Sequence, residues 1–257
     1  MQAHEPVKRR QKLGDEPMLF LDKLEPLTNM SQLTSGQINQ AQVLLKQQYP
    51  TIGGLFCCTN GASLDFPKAT GEQWLQIVHN GKDHWVLVTK GFGDSEYVSL
   101  YDSLTGKNWH NEHILSCMSS LSKTPGKEMR YVIKSVQRQS NSFDCGIFAI
   151  AFAVSLANGQ DPTTVTYDPK KLRPHLMSCF ESGVLTSFPC TMKRTTRIHV
   201  DEIRKISVFC HCRRTAHTQS SENWEMIECV NCLDWFHRMC DEYPVDTEIP
   251  WLCRNCK

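Results

Sequence analysis

Net charge is what this chain lacks first. Its 28 basic and 27 acidic side chains leave a formal charge of +1, so no global field favours direct nucleic-acid binding or an anionic membrane surface. A long apolar run is also missing. The longest, from Gly146 to Ala157, is 12 residues, against roughly 20 for a spanning helix, so no membrane partner is expected. The first ten residues, MQAHEPVKRR, have none of the apolar core of a signal peptide, which predicts an intracellular chain. No internal repeat or low-complexity tract is visible. What remains is a globular composition, 40% apolar and 21% charged over 257 residues, long enough for one full-sized domain and a small one.

Cysteine, by contrast, is plentiful. Of the 13, seven fall between Cys210 and Cys256, and the other six are scattered from Cys57 to Cys190 without regular spacing. Disulfides rarely persist in a reducing compartment, so the terminal cluster reads as a metal site and an isolated thiol upstream as a candidate nucleophile.

Residues 1–16 read as a polar, solvated tail, since the basic run Lys8-Arg9-Arg10 has too few charges to favour a nuclear-import signal. Residues 17–192 form the larger domain. Ser35 can cap a helix to Gln48, with Ile38, Ala41, Gln42 and Leu45 on one face and Gln42 as its polar exception. Pro50 and Gly53-Gly54 then force a turn. Trp74 to Val78, Trp85 to Thr89, Tyr97 to Tyr101 and Met129 to Val136 read as strands of an antiparallel meander. Cys145 to Asn158, apolar on nearly every face, reads as a buried helix. A buried helix against an antiparallel sheet is an α+β core. Pro162, Pro169, Pro174 and Pro189 break residues 161–190 into short pieces. The charged stretch 193–206 reads as a linker, and residues 207–257 as a separate, metal-held unit.

A thiol attacks carbonyls as its thiolate, so a catalytic cysteine needs a base and a local positive potential. Cys145 opens the buried helix, where the N-terminal dipole favours negative charge, and the following Gly146 leaves room for close approach. His84 starts one strand and Asp102 ends the next, so a hairpin brings them together. His79, beside the Asn80-Gly81 turn, is the rival base.

The segments HWVLV, YDS and QSNSFDCGIFAIAF resemble the SUMO-protease family of cysteine peptidases, the ubiquitin-like-protein-specific proteases related to the adenovirus protease, over roughly residues 30–190. The resemblance implies a papain-like, adenain-like core. Cys145 would be the nucleophile, His84 the base and then acid, Asp102 the orienter of the imidazole and Gln139 an oxyanion donor. Trp85 would line the substrate site. Catalysis would need no cofactor, and the partner would be a ubiquitin-like modifier or a protein precursor. The flavour is also similar to copies of this domain in mobile genetic elements.

The terminal cluster runs Cys210, Cys212, Cys229, Cys232, His237, Cys240, Cys253 and Cys256. Eight soft ligands make two closed tetrahedral sites, which implies two structural zinc ions. With the histidine in fifth place, Trp235-Phe236-His237 and Trp251, the unit is similar to a PHD finger. That resemblance implies interleaved ligation, with Cys210, Cys212, His237 and Cys240 on one ion and Cys229, Cys232, Cys253 and Cys256 on the other. It leaves His211 and His217 surplus. It also implies a histone-tail partner, with Phe209, Met226 and Trp235 caging a methyl-lysine near Trp224, and a nuclear localisation, with the cytoplasm as an additional one. The competing function is an inactive chromatin-binding protein that uses only this reader.

Overall fold

The computed structural model describes residues 30–93, 95–106, 108–193, 201–216, 225–241 and 250–257. The polar tail, the basic run at Lys8, residues 194–200 of the expected linker, His217 and Trp224 lie outside them.

Helix α1 (Ser35–Gln48) is capped by Thr34 rather than Ser35, through a capping box in which Thr34 and Gln37 each satisfy the other's backbone N–H. The polar exception on its inner face has a purpose. Gln42 is buried, donates to Phe56 O at 2.8 Å, and its Oε1 accepts from Gln76 Nε2 at 2.9 Å and Ile77 N at 3.0 Å. A buried amide with every group paired locks the helix to the sheet instead of weakening it.

The sheet begins with β1 (Gly53–Gly54), β2 (Trp74–His79), β3 (Trp85–Lys90) and β4 (Val98–Tyr101). Helix α2 (Glu112–Ser122) follows and leads to β5 (Glu128–Lys134). β2, β3 and β4 pair antiparallel, but β4 and β5 run parallel, with Leu100 opposite Ile133. The meander therefore stops at β4, because α2 carries the chain back across the sheet. α2 escapes a reading by apolar pattern since three of its buried residues are serines. Two of these return their hydroxyls to nearby carbonyls, Ser119 to Ser116 O at 2.8 Å and Ser120 to Phe66 O at 3.0 Å.

Helix α3 (Cys145–Ala157) is buried along almost its whole length between α1 and one sheet face. Its Phe148 and Phe152 pack with Tyr101 and Tyr167. α2 fills the opposite sheet face with Val86, Val88, Leu100 and Tyr131. After α3 come the short β6 (Val165–Tyr167), helix α4 (Pro169–Ser182) and β7 (Cys190–Met192), which pairs with β6. α4 contradicts the short pieces expected from the prolines. Pro169 stands at its first turn, where a missing N–H costs nothing, and Pro174 is absorbed within it.

The expected linker is the main correction. Glu202–Ser207 is strand β8, paired with β5 along its whole length, from Glu128 opposite Ser207 to Ile133 opposite Glu202. It is the sixth strand of the main sheet, in the order β1-β2-β3-β4-β5-β8. Its alternation leaves Ile203 60% exposed, so the outer face mimics a solvated connector. A small hairpin of β9 (Met226–Glu228) and β10 (Trp235–His237) completes the described elements.

Candidate active site and metal centres

Leu87 of β3 faces Tyr101 of β4, which leaves His84 and Asp102 side by side at the strand ends. His84 Nε2 and Asp102 Oδ1 are 2.7 Å apart, and both residues are buried. The carboxylate has two further donors, the Leu104 N–H on Oδ1 at 2.7 Å and the Trp109 indole N–H on Oδ2 at 2.8 Å. Three donors fix its plane and, with it, the imidazole. His84 Nδ1 is buried with no hydrogen-bond partner among the described residues, and the ring lies against Cys145. Burial alone would pull the His84 pKa down. The hydrogen bond to Asp102, the contact with Cys145 and the negative charge of both outweigh it, raising the value from 6.5 to about 9. His84 thus holds its proton through neutral pH and releases it as pH rises through about 9. Turnover that uses this ring is expected to fall along an alkaline limb near pH 9, measured as kcat/KM against pH. A limb near 6.5 would mean that Asp102 and Cys145 do not act on this ring.

His79, the rival base, is placed elsewhere. Its ring packs against Trp85 in a tilted contact, with centroids 4.6 Å apart, and burial lowers its pKa.

Cys145 opens α3 after Asp144, whose side chain makes no cap bond. The Asp144 carboxylate is spent instead on Arg173 of α4, at 2.9 Å, and on Asn141 Nδ2 at 2.6 Å. This arrangement has two effects at Cys145. The backbone N–H groups of the first helical turn are left to an incoming anion, and Arg173 cancels a carboxylate charge that would oppose a thiolate. Arg173 is 8% exposed and also donates to Ser31 O and Phe143 O, at 2.7 and 3.1 Å.

Gln139 is held from both ends. Its Oε1 accepts from Ser103 Oγ at 2.5 Å, and its Nε2 donates one of two hydrogens to Asn141 O at 2.6 Å. Trp85, expected to line the substrate site, is only 4% exposed, and its N–H is taken by Leu33 O at 3.1 Å. Leu33 belongs to a segment before α1 in which Gln32 Nε2 bridges Asp83 O and Ser142 O, at 2.6 and 3.1 Å. The room left by Gly146 also serves Leu33, whose Cβ would stand 3.0 Å from a Cβ placed there.

The sequence search of curated proteins finds none that matches. The sequence profile of the Ulp1 protease family, C-terminal catalytic domain, matches residues 75–181, which contain His84, Asp102, Gln139 and Cys145. This segment is a Ulp1-type cysteine peptidase domain. Among solved structures the chain is similar to the SUMO protease Ulp1 with its catalytic cysteine oxidized to a sulfonic acid, at 14% identity and TM-score 0.47, covering 60% of this chain and 80% of that one. It is also similar to the C-terminal Ulp1 protease domain in complex with Smt3, the yeast orthologue of SUMO, at 16% identity and TM-score 0.43 over 59% and 77%. A third is the Xanthomonas campestris effector XopD bound to ubiquitin, at 14% identity and TM-score 0.45 over 63% and 98%. α1, β8 and the terminal cysteines fall outside the Ulp1-type match.

Those cysteines gather as two clusters. Cys210, Cys212, His237 and Cys240 bring their ligand atoms within 4.8 Å of one another, as do Cys229, Cys232, Cys253 and Cys256. Each cluster can hold a metal ion. The donor chemistry fits, since His237 Nδ1 lies 3.3 Å from Cys212 Sγ while Nε2 lies 3.1 Å from Thr215 O. A ring N–H given to a carbonyl leaves the other nitrogen's lone pair for a metal.

The clusters are not separated from the Ulp1-type domain. Val208 is buried in the core beneath α2, Ser116 of α2 meets Thr215 at 2.6 Å, and Arg214 reaches Asp65 at 2.6 Å. Lys127 pairs with Asp234. Of the residues expected to form an aromatic cage, Phe209 is half-buried on the cysteine cluster, Trp235 is 41% exposed, and Met226 faces His237 two register positions from Trp235.

Proposed function

We propose that the chain is a peptidase or isopeptidase that cleaves after the C-terminal tail of a SUMO-like or ubiquitin-like modifier. The observation that carries this is His84 held by Asp102 through Nε2, its ring against Cys145 at a helix N-terminus, inside the Ulp1-type segment. Cys145 Sγ, its proton on His84 Nδ1, attacks the carbonyl carbon of the scissile bond. The negative oxygen is met by the Cys145 N–H and the free hydrogen of Gln139 Nε2. The C–N bond breaks, and His84 gives its proton to the departing amine. Water then loses a proton to His84, adds to the thioester and frees the thiol. Covalent capture by SUMO or ubiquitin carrying a C-terminal electrophile tests the substrate class, and a chain unlabelled by any such protein overturns it.

The two clusters are read as a PHD-type finger with two structural zinc ions. The exposed Trp235, with Val230 and Leu233 also exposed in the few residues before it, supports a peptide-binding role, with a methylated histone tail as ligand and the nucleus as the place of action. Trp235→Ala should remove methyl-peptide binding in a fluorescence titration while retaining the metal. Equal affinity for methylated and unmodified tails would sink this part.

A further inference from the structure

Asp102 depends on a residue outside the triad, and that residue depends on the part of the chain beyond the matched segment. Trp109 sits in the loop between β4 and α2, 9% exposed, with its indole N–H on Asp102 Oδ2 at 2.8 Å. Two contacts hold it. Its ring meets Tyr131 of β5 edge-on, with centroids 6.3 Å apart. Its carbonyl oxygen accepts from the Arg204 guanidinium of β8. Arg204 is the direct cross-strand partner of Tyr131 and is itself oriented by Glu202 at 2.7 Å. β8, Trp109 and Asp102 thus form one connected series ending at His84.

We propose that Trp109 is a positioning residue for Asp102 and that Arg204 holds it there, so that the strand leading into the Cys/His clusters completes the peptidase site. The proposal rests on the reading of His84, Asp102 and Cys145 as a catalytic set. Its physical basis is the geometry of the carboxylate. His84 Nε2 and the Leu104 N–H both act on Oδ1, and a carboxylate held at one oxygen can still swing about that oxygen by joint changes of its side-chain torsions. A donor on Oδ2 stops that swing, and a buried oxygen without one is costly. The donor must come from a ring that does not move, which the loop alone cannot guarantee and the pincer of Tyr131 and Arg204 can.

Trp109→Phe keeps a ring against Tyr131 and removes the N–H. Two readouts need no substrate. The low-field proton resonance of His84 Nε2–H, protected while the Asp102 bond is fixed, is expected to broaden beyond detection. Alkylation of Cys145 by iodoacetamide, followed on its own peptide by mass spectrometry, is expected to slow by about tenfold, a small part of what a misplaced group can cost. Arg204→Ala, at the solvent edge, should produce both changes at smaller amplitude and add nothing in the double variant, as expected for residues acting in series. A sharp resonance with unchanged alkylation in Trp109→Phe overturns the positioning role, and additive slowing overturns the link to Arg204. Should Trp109→Phe not fold, the same resonance in Arg204→Ala decides, and its full retention there overturns the proposal. In the unaltered chain, a Cys145 that alkylates no faster than the exposed Cys57 would instead remove the catalytic reading itself.

Discussion

Cys145→Ala is expected to abolish turnover of a SUMO or ubiquitin substrate and any labelling by their electrophilic derivatives. The loss should be on the order of 10⁶-fold, the scale on which a hydrolase loses its nucleophile or its paired histidine. The fold should survive, because the thiol is a small part of the apolar packing that α3 shares with Leu33 and the sheet. His84→Ala should cost about as much, and the double variant little more, since the two act as one unit. His79→Ala should keep most of the activity, its ring being packed against Trp85. Full labelling of Cys145→Ala would place the nucleophile elsewhere. A dead His79→Ala with a live His84→Ala would reverse the assignment of the base.

The second large effect concerns metal. On the reading of the clusters as two structural metal sites, a strong chelator is expected to release two ions per chain and unfold them, since sites of that kind contribute on the order of 10 kcal/mol of apparent folding free energy. A linker at residues 193–206 would leave the peptidase core untouched. The structure leads to a different expectation. Burying Val208 is worth ~2 kcal/mol and the Ser116–Thr215 hydrogen bond ~1 kcal/mol, while the Arg214–Asp65 pair adds little because Asp65 is 72% exposed. Losing ~3 kcal/mol lowers the melting temperature of a core this size by about 6–12 °C. Calorimetry with and without chelator reads this directly, and a core that melts at the same temperature in both would mean the contact carries no stability.

What the sequence disclosed follows from how local each feature is. The meeting of His84 and Asp102 needs only two strands joined by a hairpin, so it is legible from strand ends and turn residues. The grouping of the eight soft ligands is legible because cysteine and histidine spacing is itself the structural constraint. Arg173 was hidden, since its helix carries two prolines and its partner Asp144 lies 29 residues away. Trp109 was hidden for a similar reason: nothing local distinguishes a loop tryptophan that bonds a carboxylate from one that fills a gap. α2 lost its signal to buried serines. β8 lost its own to an exposed outer face, and a strand that pairs with a partner some 70 residues earlier leaves no local mark.

The late arrival of that sixth strand has a consequence for synthesis. A chain made only as far as residue 193 already holds β5, but the N–H and C=O groups on its outer edge, from Glu128 to Ile133, have no ladder to join. An unpaired edge of that length is a template for a neighbouring chain. During translation the nascent peptidase therefore passes through an interval in which it can stick to its copies. That interval closes only when residues 202–207 leave the ribosome.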